Sequence, residues 1–124
     1  MTTSNAIRSI FDLKTQEGAA AACRAVLDYL GPDWKCRAIG RLGNFSVHQP
    51  DAEQFLQISI TNEINGSGRY TAWIDALGYQ ESRSAEDPVQ AVKDAQEALR
   101  KRAADLQNLY LQIASHSNSV TLGG

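Results

Sequence analysis

Residues 88–115 read PVQAVKDAQEALRKRAADLQNLYLQIAS, and this stretch decides the fold. Along it, apolar side chains return every seven residues, at Val92, Leu99, Leu106 and Ile113. Because an α-helix repeats every 3.6 residues, this spacing places them on one side of a helix. Asp87 and Pro88 suit the cap and the first position of that helix. We therefore predict a helix that begins there and ends at about Ser115.

Such a helix is longer than a small sheet can cover. It is roughly 40 Å long at 1.5 Å per residue, whereas strands of about 17–20 Å cover only half of that length. The second half carries an apolar stripe of its own, formed by Leu106, Leu109, Tyr110 and Ile113. We expect this stripe to pack either on an N-terminal stripe or on a second copy of the chain. The N-terminal stripe consists of Ile7, Ile10 and Phe11.

The first helical region covers residues 4–30. Its second part has the 3,1,3,1,3 spacing of a core-facing stripe at Ala19, Ala22, Cys23, Val26, Leu27 and Leu30. Gly31 and Pro32 end it, since glycine suits the C-terminal cap and proline cannot continue a helix. Thr15 and Gly18 leave open one bent helix or two. The favoured interpretation is a separate short helix that ends near Leu13.

Between residues 34 and 77 the period changes to two. Apolar and polar residues alternate along 45–48, 56–61 and 70–76, as is typical of antiparallel strands with one wet face. Residues 34–48 fit either a tight hairpin or one long strand with a bulge, because Gly40 and Gly43 lie in their middle.

These elements predict an α+β fold. One or two N-terminal helices precede an antiparallel meander of three to four strands, and the long C-terminal helix packs on one sheet face. We expect residues 1–115 to form a single domain and residues 116–124 to form a mobile polar tail.

Composition sets the broad class of the protein. The chain has 124 residues, of which 43% are hydrophobic and 21% charged, with a net charge of −2. It is therefore able to bury a core, and neither disorder nor an overall nucleic-acid signature is indicated. The N-terminal residues lack the apolar run of a signal peptide, and no stretch approaches the ~18 apolar residues of a membrane span. We expect a cytoplasmic protein without a membrane partner.

Groups suited to catalysis are few. Nucleophilic or acid–base chemistry needs side chains that converge with tuned pKa values. His48 lies at a strand end, His116 lies in the polar tail, and Cys23 lies on a core-facing stripe. Cys23 and Cys36 form a Cys-x12-Cys pair with two distant histidines, which does not match the close ligand spacing of zinc sites. We expect neither an enzyme nor a bound metal or cofactor.

Trp73 is the best single candidate for a protein interface. If Ala72 and Ile74 point to the core, Trp73 lies on the opposite sheet face, where an exposed tryptophan is a frequent interface hot spot. The alternative is that residues 1–14 fold over it. The acidic segment 51–87 is a second candidate contact to a partner.

A basic cluster supports a different class of function. Lys35, Arg37 and Arg41 share one face of an extended strand if no bulge intervenes, and aromatic residues flank them. Cations interleaved with aromatic rings suit binding of nucleic acid by phosphate contact and stacking.

Part of the chain carries a family resemblance. The matching residues are Tyr70, Ala72, the Leu77–Gly78 turn, Ser82, Ser84, Pro88–Val92 and Glu97–Leu99. Residues 70–99 resemble the strand-to-helix half of HicB-type antitoxins, which look like trimmed double-stranded-RNA-binding domains. The resemblance implies an α-β-β-β-α order and contact with RNA. Where those domains place lysines at the start of the final helix, this chain has Glu86 and Asp87, so no site residue is carried over.

The sequence thus predicts a small non-catalytic binding protein. We expect it to act through protein–protein contacts, as an inhibitor or regulator of a larger complex encoded by a bacterium or a phage. The expected homodimer forms through the helical stripe. The alternative is a nucleic-acid-binding module that uses Lys35, Arg37 and Arg41.

Overall fold

A computed structural model describes residues 11–39, 44–51, 56–62 and 69–123, with side chains except at 37–39 and 116–123. The elements are α1 (Gln16–Leu30), β1 (Lys35–Ile39), β2 (Asn44–His48), β3 (Leu56–Asn62), β4 (Tyr70–Ala76), β5 (Tyr79–Ala85) and α2 (Pro88–Gly123). The α+β class is confirmed. The strand count is corrected, because the sheet has five strands rather than three to four.

All five strands form one antiparallel meander in chain order. Residues 34–48 supply two paired strands, as the hairpin interpretation predicts. The register of that pair also shifts between Cys36 and Ala38, so an irregularity of the bulge type is present as well. Both helices pack on the same face of the sheet, α1 over β1 and β2 and α2 over β3, β4 and β5.

The core lies between the sheet and the two helices. Alternate strand residues supply its lower layer, at Phe45, Val47, Ile58, Ile60, Tyr70, Ala72 and Ile74. The helices supply small side chains above it, at Ala19, Ala22, Cys23, Val26, Ala91, Val92 and Ala95. Because these helical residues are small, the helices approach the sheet closely.

The sequence pattern does not predict strand β5, because Tyr79–Ala85 does not alternate between apolar and polar residues. Within the described residues it pairs with β4 alone and so forms an edge of the sheet, and Glu81 and Arg83 occupy positions on the helix-covered side. The turn before it carries the signal that could have identified it. Leu77 and Gly78 have φ values of +52° and +86°, the left-handed pair that a two-residue hairpin turn requires.

Helix α1 begins after a non-helical turn. The Thr15 hydroxyl accepts a hydrogen bond from the Gly18 amide at 3.0 Å and caps the helix. Gly18 is required there, since a Cβ at this position would lie 2.1 Å from the backbone oxygen of Asp12. The helix ends at Leu30, and the amide of the capping residue Gly31 donates a hydrogen bond to the Leu27 carbonyl at 2.8 Å. The short helix expected up to Leu13 falls mostly outside the described residues.

Helix α2 begins as predicted and ends later than predicted. The Asp87 carboxylate accepts a hydrogen bond from the Gln90 amide at 3.0 Å, and Pro88 opens the helix. The helix continues to Gly123 instead of ending at about Ser115. Residues 116–123 contain no proline, so no residue there lacks the backbone N–H that continues a helix. Its length is about 54 Å at 1.5 Å per residue.

Candidate protein-binding surfaces

The long helix α2 leaves the sheet about one third of the way along its length. Ala91, Val92 and Ala95 are fully buried, and Leu99 is half-buried. From Arg100 to Ile113 every residue is exposed. We call residues 103–115 of this helix the arm. Its residues from 103 to 113 are exposed, and Leu106 and Leu109 line a groove beside β5.

The arm carries the apolar stripe expected from the sequence. Leu106, Leu109, Tyr110 and Ile113 are 39%, 54%, 65% and 66% exposed. Their spacing of i, i+3, i+4 and i+7 places them on one side of the helix. We call these four residues the arm stripe.

The described end of the N-terminal segment does not cover the arm stripe. Phe11 packs against the hydrophobic core, and its backbone carbonyl accepts a hydrogen bond from the Tyr70 hydroxyl at 2.6 Å. Tyr70 points to the helix-covered face, so Phe11 does not cover Trp73 either. Ile7 and Ile10 lie outside the described residues.

Charge changes abruptly along the helix. Residues 97–105 hold one glutamate, one aspartate, one lysine and two arginines, whereas residues 106–124 hold no Asp, Glu, Lys or Arg. Depletion of charge together with exposed aromatic and apolar side chains is typical of the core of a protein interface. The arm stripe therefore has the composition of an interface rather than of a solvated helix face.

A charged cluster marks the point where the helix leaves the sheet. Glu81 on β5 forms ion pairs with Arg102 on α2 and, at 3.7 Å, with Arg83. Arg102 also lies over the Tyr79 ring, 6.0 Å from its centroid. Beside this cluster is an open groove of about 400 Å³, lined by Glu81, Arg83, Ala98, Lys101, Arg102, Asp105, Leu106 and Leu109. Sequence reasoning missed the groove because it missed β5.

The uncovered face of the sheet is polar and centres on Trp73. Strand register places Ser46, Ser59, Trp73 and Ser82 side by side across four strands. Trp73 is 40% exposed, and its neighbours are short hydroxyl side chains. Among the strand residues whose side chains are described on this face, Lys35 and Asp75 are charged. Arg69, just before β4, donates a hydrogen bond to the Ser84 carbonyl at 2.9 Å. We call this uncovered face the Trp73 face.

The structure describes only part of the basic cluster formed by Lys35, Arg37 and Arg41. Lys35 is exposed and lies on the Trp73 face, because its register partner is His48. The shift in register falls at Arg37, whose side chain is outside the described part, and Arg41 is also outside it. The described structure therefore brings one of the three cations, Lys35, to this face.

Two carboxylates of the acidic segment have structural roles. Glu81 is ion-paired at the sheet edge, and Asp87 caps α2. Asp75 lies on the Trp73 face.

The two cysteines lie next to each other, across α1 and β1. Burial and the neighbouring Cys36 thiol raise the pKa of the Cys23 thiol to about 12. Cys23 is therefore neutral at physiological pH and contributes to packing as a small apolar group. No group of three or more histidine, cysteine or acidic side chains is placed to hold a metal ion among the residues that the structure describes.

No helix within the described ranges has both the length and the apolar character needed to cross a membrane. Comparison with protein-family models, with curated proteins and with solved structures finds no significant match to this chain. Inference about its function therefore starts from the arm stripe and the Trp73 face.

Proposed function

We propose that this chain is a small non-catalytic binding protein that acts through contacts with other proteins, as an inhibitor or regulator of a larger complex. One observation carries the proposal: every helical residue from 103 to 113 is exposed, and four of these residues form an apolar stripe. An isolated helix of this length is marginal in water without tertiary packing. A partner that covers the stripe would supply that packing.

The two surfaces suit two different contacts. The arm stripe is apolar and uncharged, which suits self-association into a homodimer. The Trp73 face is polar, with one large aromatic side chain among hydroxyl groups. Such a patch suits a second protein, because tryptophan supplies much of the binding energy at interfaces while small polar neighbours adapt to the partner.

Nucleic-acid binding is the alternative, as a HicB-like or double-stranded-RNA-binding-like module. It would use Lys35 with Arg37 and Arg41. Phosphate contacts need several cations that act together, whereas Lys35 shares the Trp73 face with Asp75 and the chain as a whole carries a net charge of −2. The observations therefore favour a protein partner.

Quantitative capture with matched variants tests the proposal. Purified wild-type protein, Trp73→Ala and Ser59→Ala would be immobilised in equal amounts and exposed to extract of the source organism. Ser59 is the register neighbour of Trp73, so its truncation controls for any change on this face. We expect a specific protein whose recovery falls at least tenfold with Trp73→Ala and little with Ser59→Ala.

Two results would contradict the proposal or its use of the Trp73 face. One is a specific protein recovered equally by all three forms, which would remove Trp73 from the interface. The other is binding to RNA or DNA probes that falls steeply with salt and is lost on Lys35→Glu, which would establish the alternative.

A further inference from the structure

The two cysteines of the chain face each other between α1 and the sheet. Cys23 lies on the core-facing stripe of α1 and is 4% exposed, whereas Cys36 on β1 is half-buried. Strand register pairs Cys36 with Val47, which is completely buried in the core. Cys36 therefore lies on the helix-covered face of the sheet, and it packs against the core cluster that contains Cys23.

The two thiols are in direct contact. Both cysteines are free, and their side chains are joined by a hydrogen bond. A disulfide needs Cβ atoms about 3.5–4.5 Å apart and an S–S bond of about 2 Å. Because the sulfur atoms already lie within hydrogen-bonding reach, a small movement is enough to bring them to the length of a bond.

We propose that Cys23 and Cys36 form a reversible intramolecular disulfide when the protein meets a hydroperoxide, and that this bond joins α1 to β1. The free thiols are the resting form under reducing conditions. Disulfides in reducing compartments are usually transient and redox-sensing. The proposal does not depend on the arm stripe or on the Trp73 face.

Cys36 is the sulfur that reacts first. It is the more exposed of the two, and burial raises the pKa of Cys23, which keeps that thiol neutral, whereas the reactive form of a cysteine is the thiolate. The Cys36 thiolate attacks one peroxide oxygen, and the O–O bond breaks. The departing oxygen takes up the proton that the thiol released, so hydrogen peroxide gives water. Cys36 becomes a sulfenic acid and has lost two electrons to the peroxide.

Cys23 completes the disulfide. Its sulfur attacks the Cys36 sulfur, the S–O bond breaks, and the oxygen leaves as water with the proton of the Cys23 thiol. In sum, two thiols and one hydrogen peroxide give one disulfide and two waters. Because Cys23 already lies against Cys36, this second step is intramolecular and is favoured by proximity. A small thiol reductant restores both thiols by thiol–disulfide exchange.

Strand β1 is suited to the small movement that the bond requires. Within the described residues it pairs with β2 alone, and its register is already irregular between Cys36 and Ala38. A displacement of β1 towards α1 therefore leaves the pairing of β3, β4 and β5 unchanged. The bond also closes a loop over residues 24–35. A closed loop restricts the unfolded chain, so we expect the oxidised protein to resist unfolding more strongly.

Peptide mapping of the full chain tests the bond. Wild type, Cys36→Ser and Cys23→Ala are treated with hydrogen peroxide, and the remaining thiols are then alkylated under denaturing conditions. We expect the wild-type monomer to lose two hydrogen atoms, to take up no alkylating reagent and to contain a peptide pair joined between positions 23 and 36. Reduction is expected to restore both thiols.

The two variants separate the roles of the cysteines. In Cys36→Ser, we expect the remaining thiol to be lost at least tenfold more slowly than in the wild type, because Cys23 is buried and neutral. In Cys23→Ala, we expect Cys36 to react with dimedone, a reagent for sulfenic acids, because the second thiol is missing.

Thermal unfolding tests the joining of α1 to β1. We expect the oxidised wild type to unfold at a temperature at least about 5 °C higher than the reduced form. Cys36→Ser is the control, and its unfolding temperature is expected to be the same with and without peroxide treatment.

Three results would overturn the proposal. One is a wild type in which Cys36 is oxidised to a sulfinic acid while Cys23 stays free. Another is a disulfide that joins two chains in place of the intramolecular bond. The third is an oxidised wild type whose unfolding temperature does not rise, which would show that the bond does not stabilise the contact between α1 and β1. Binding through Trp73 is tested separately by the capture experiment.

Discussion

The two halves of helix α2 share one pattern and have opposite environments. Val92 and Ile113 occupy the same position of the seven-residue repeat, three repeats apart. Val92 is completely buried on the sheet, whereas Ile113 is 66% exposed. The comparison shows that an apolar stripe indicates a helix face suited to burial but does not indicate what buries it. The length of the sheet determines how much of the stripe is buried within the same chain.

The largest expected effect is on the free energy of unfolding, when an aspartate is placed in turn in each half of α2. Val92→Asp puts an unpaired carboxylate in the core, and we expect it to lower the free energy of unfolding by more than about 4 kcal/mol. Ile113→Asp is the matched control, expected to change the stability of the monomer by less than about 0.5 kcal/mol. Urea unfolding at sub-micromolar concentration measures both. Equal destabilisation would show that residues 103–115 are covered within one chain.

The next effect is on the dimer dissociation constant, and it distinguishes the arm stripe from an exposed leucine elsewhere on the surface. Leu109→Asp places a charge in the middle of the arm stripe, and we expect at least a thirtyfold increase in the dimer dissociation constant, or about 2 kcal/mol. Leu77→Asp is the control, because Leu77 is 73% exposed but lies at the β4–β5 turn. Sedimentation velocity over a concentration series measures both. If Leu77→Asp weakened association as much, the interface would include the turn.

The smallest predicted effect is a change of the free energy of unfolding with pH, and it arises from Cys23 in the core. The folded protein holds the pKa of Cys23 at about 12 because of burial and the neighbouring Cys36, whereas an exposed thiol has a pKa of about 8.5. The neutral thiol is thus favoured by folding. Its contribution is fully present below about pH 8.5 and is lost as pH rises towards 12.

Comparison with Cys23→Ala isolates this contribution. Between pH 7.5 and pH 10 under reducing conditions, we expect the wild type to lose on the order of 1 kcal/mol more stability than the variant. Equal slopes for the two proteins would contradict the burial of the thiol.

The elements with a strong local signal could be predicted from the sequence. Asp87 and Pro88 start α2, and Gly31 ends α1, because capping chemistry is local. The alternation in residues 70–76 predicts Trp73 on the face opposite the core, and the structure places it there.

Features that depend on distant residues could not be predicted. Strand β5 is polar on both faces because it lies at a sheet edge, where Glu81 meets Arg102 from the helix rather than an apolar layer. Because the sequence does not predict β5, it does not predict the groove beside β5 either. The arm stripe is visible in the sequence, but its exposure follows only once the sheet is known to cover the helix no further than about Leu99.

The central claim is that the second half of α2 is an interface between two copies of the chain. The most direct test is the mass in solution at ~10 µM, where a dimer of micromolar affinity is largely formed. By sedimentation equilibrium, we expect twice the chain mass of 13.5 kDa for the wild type and the single-chain mass for Ile113→Asp. A wild-type protein that remains at 13.5 kDa under these conditions would contradict the claim.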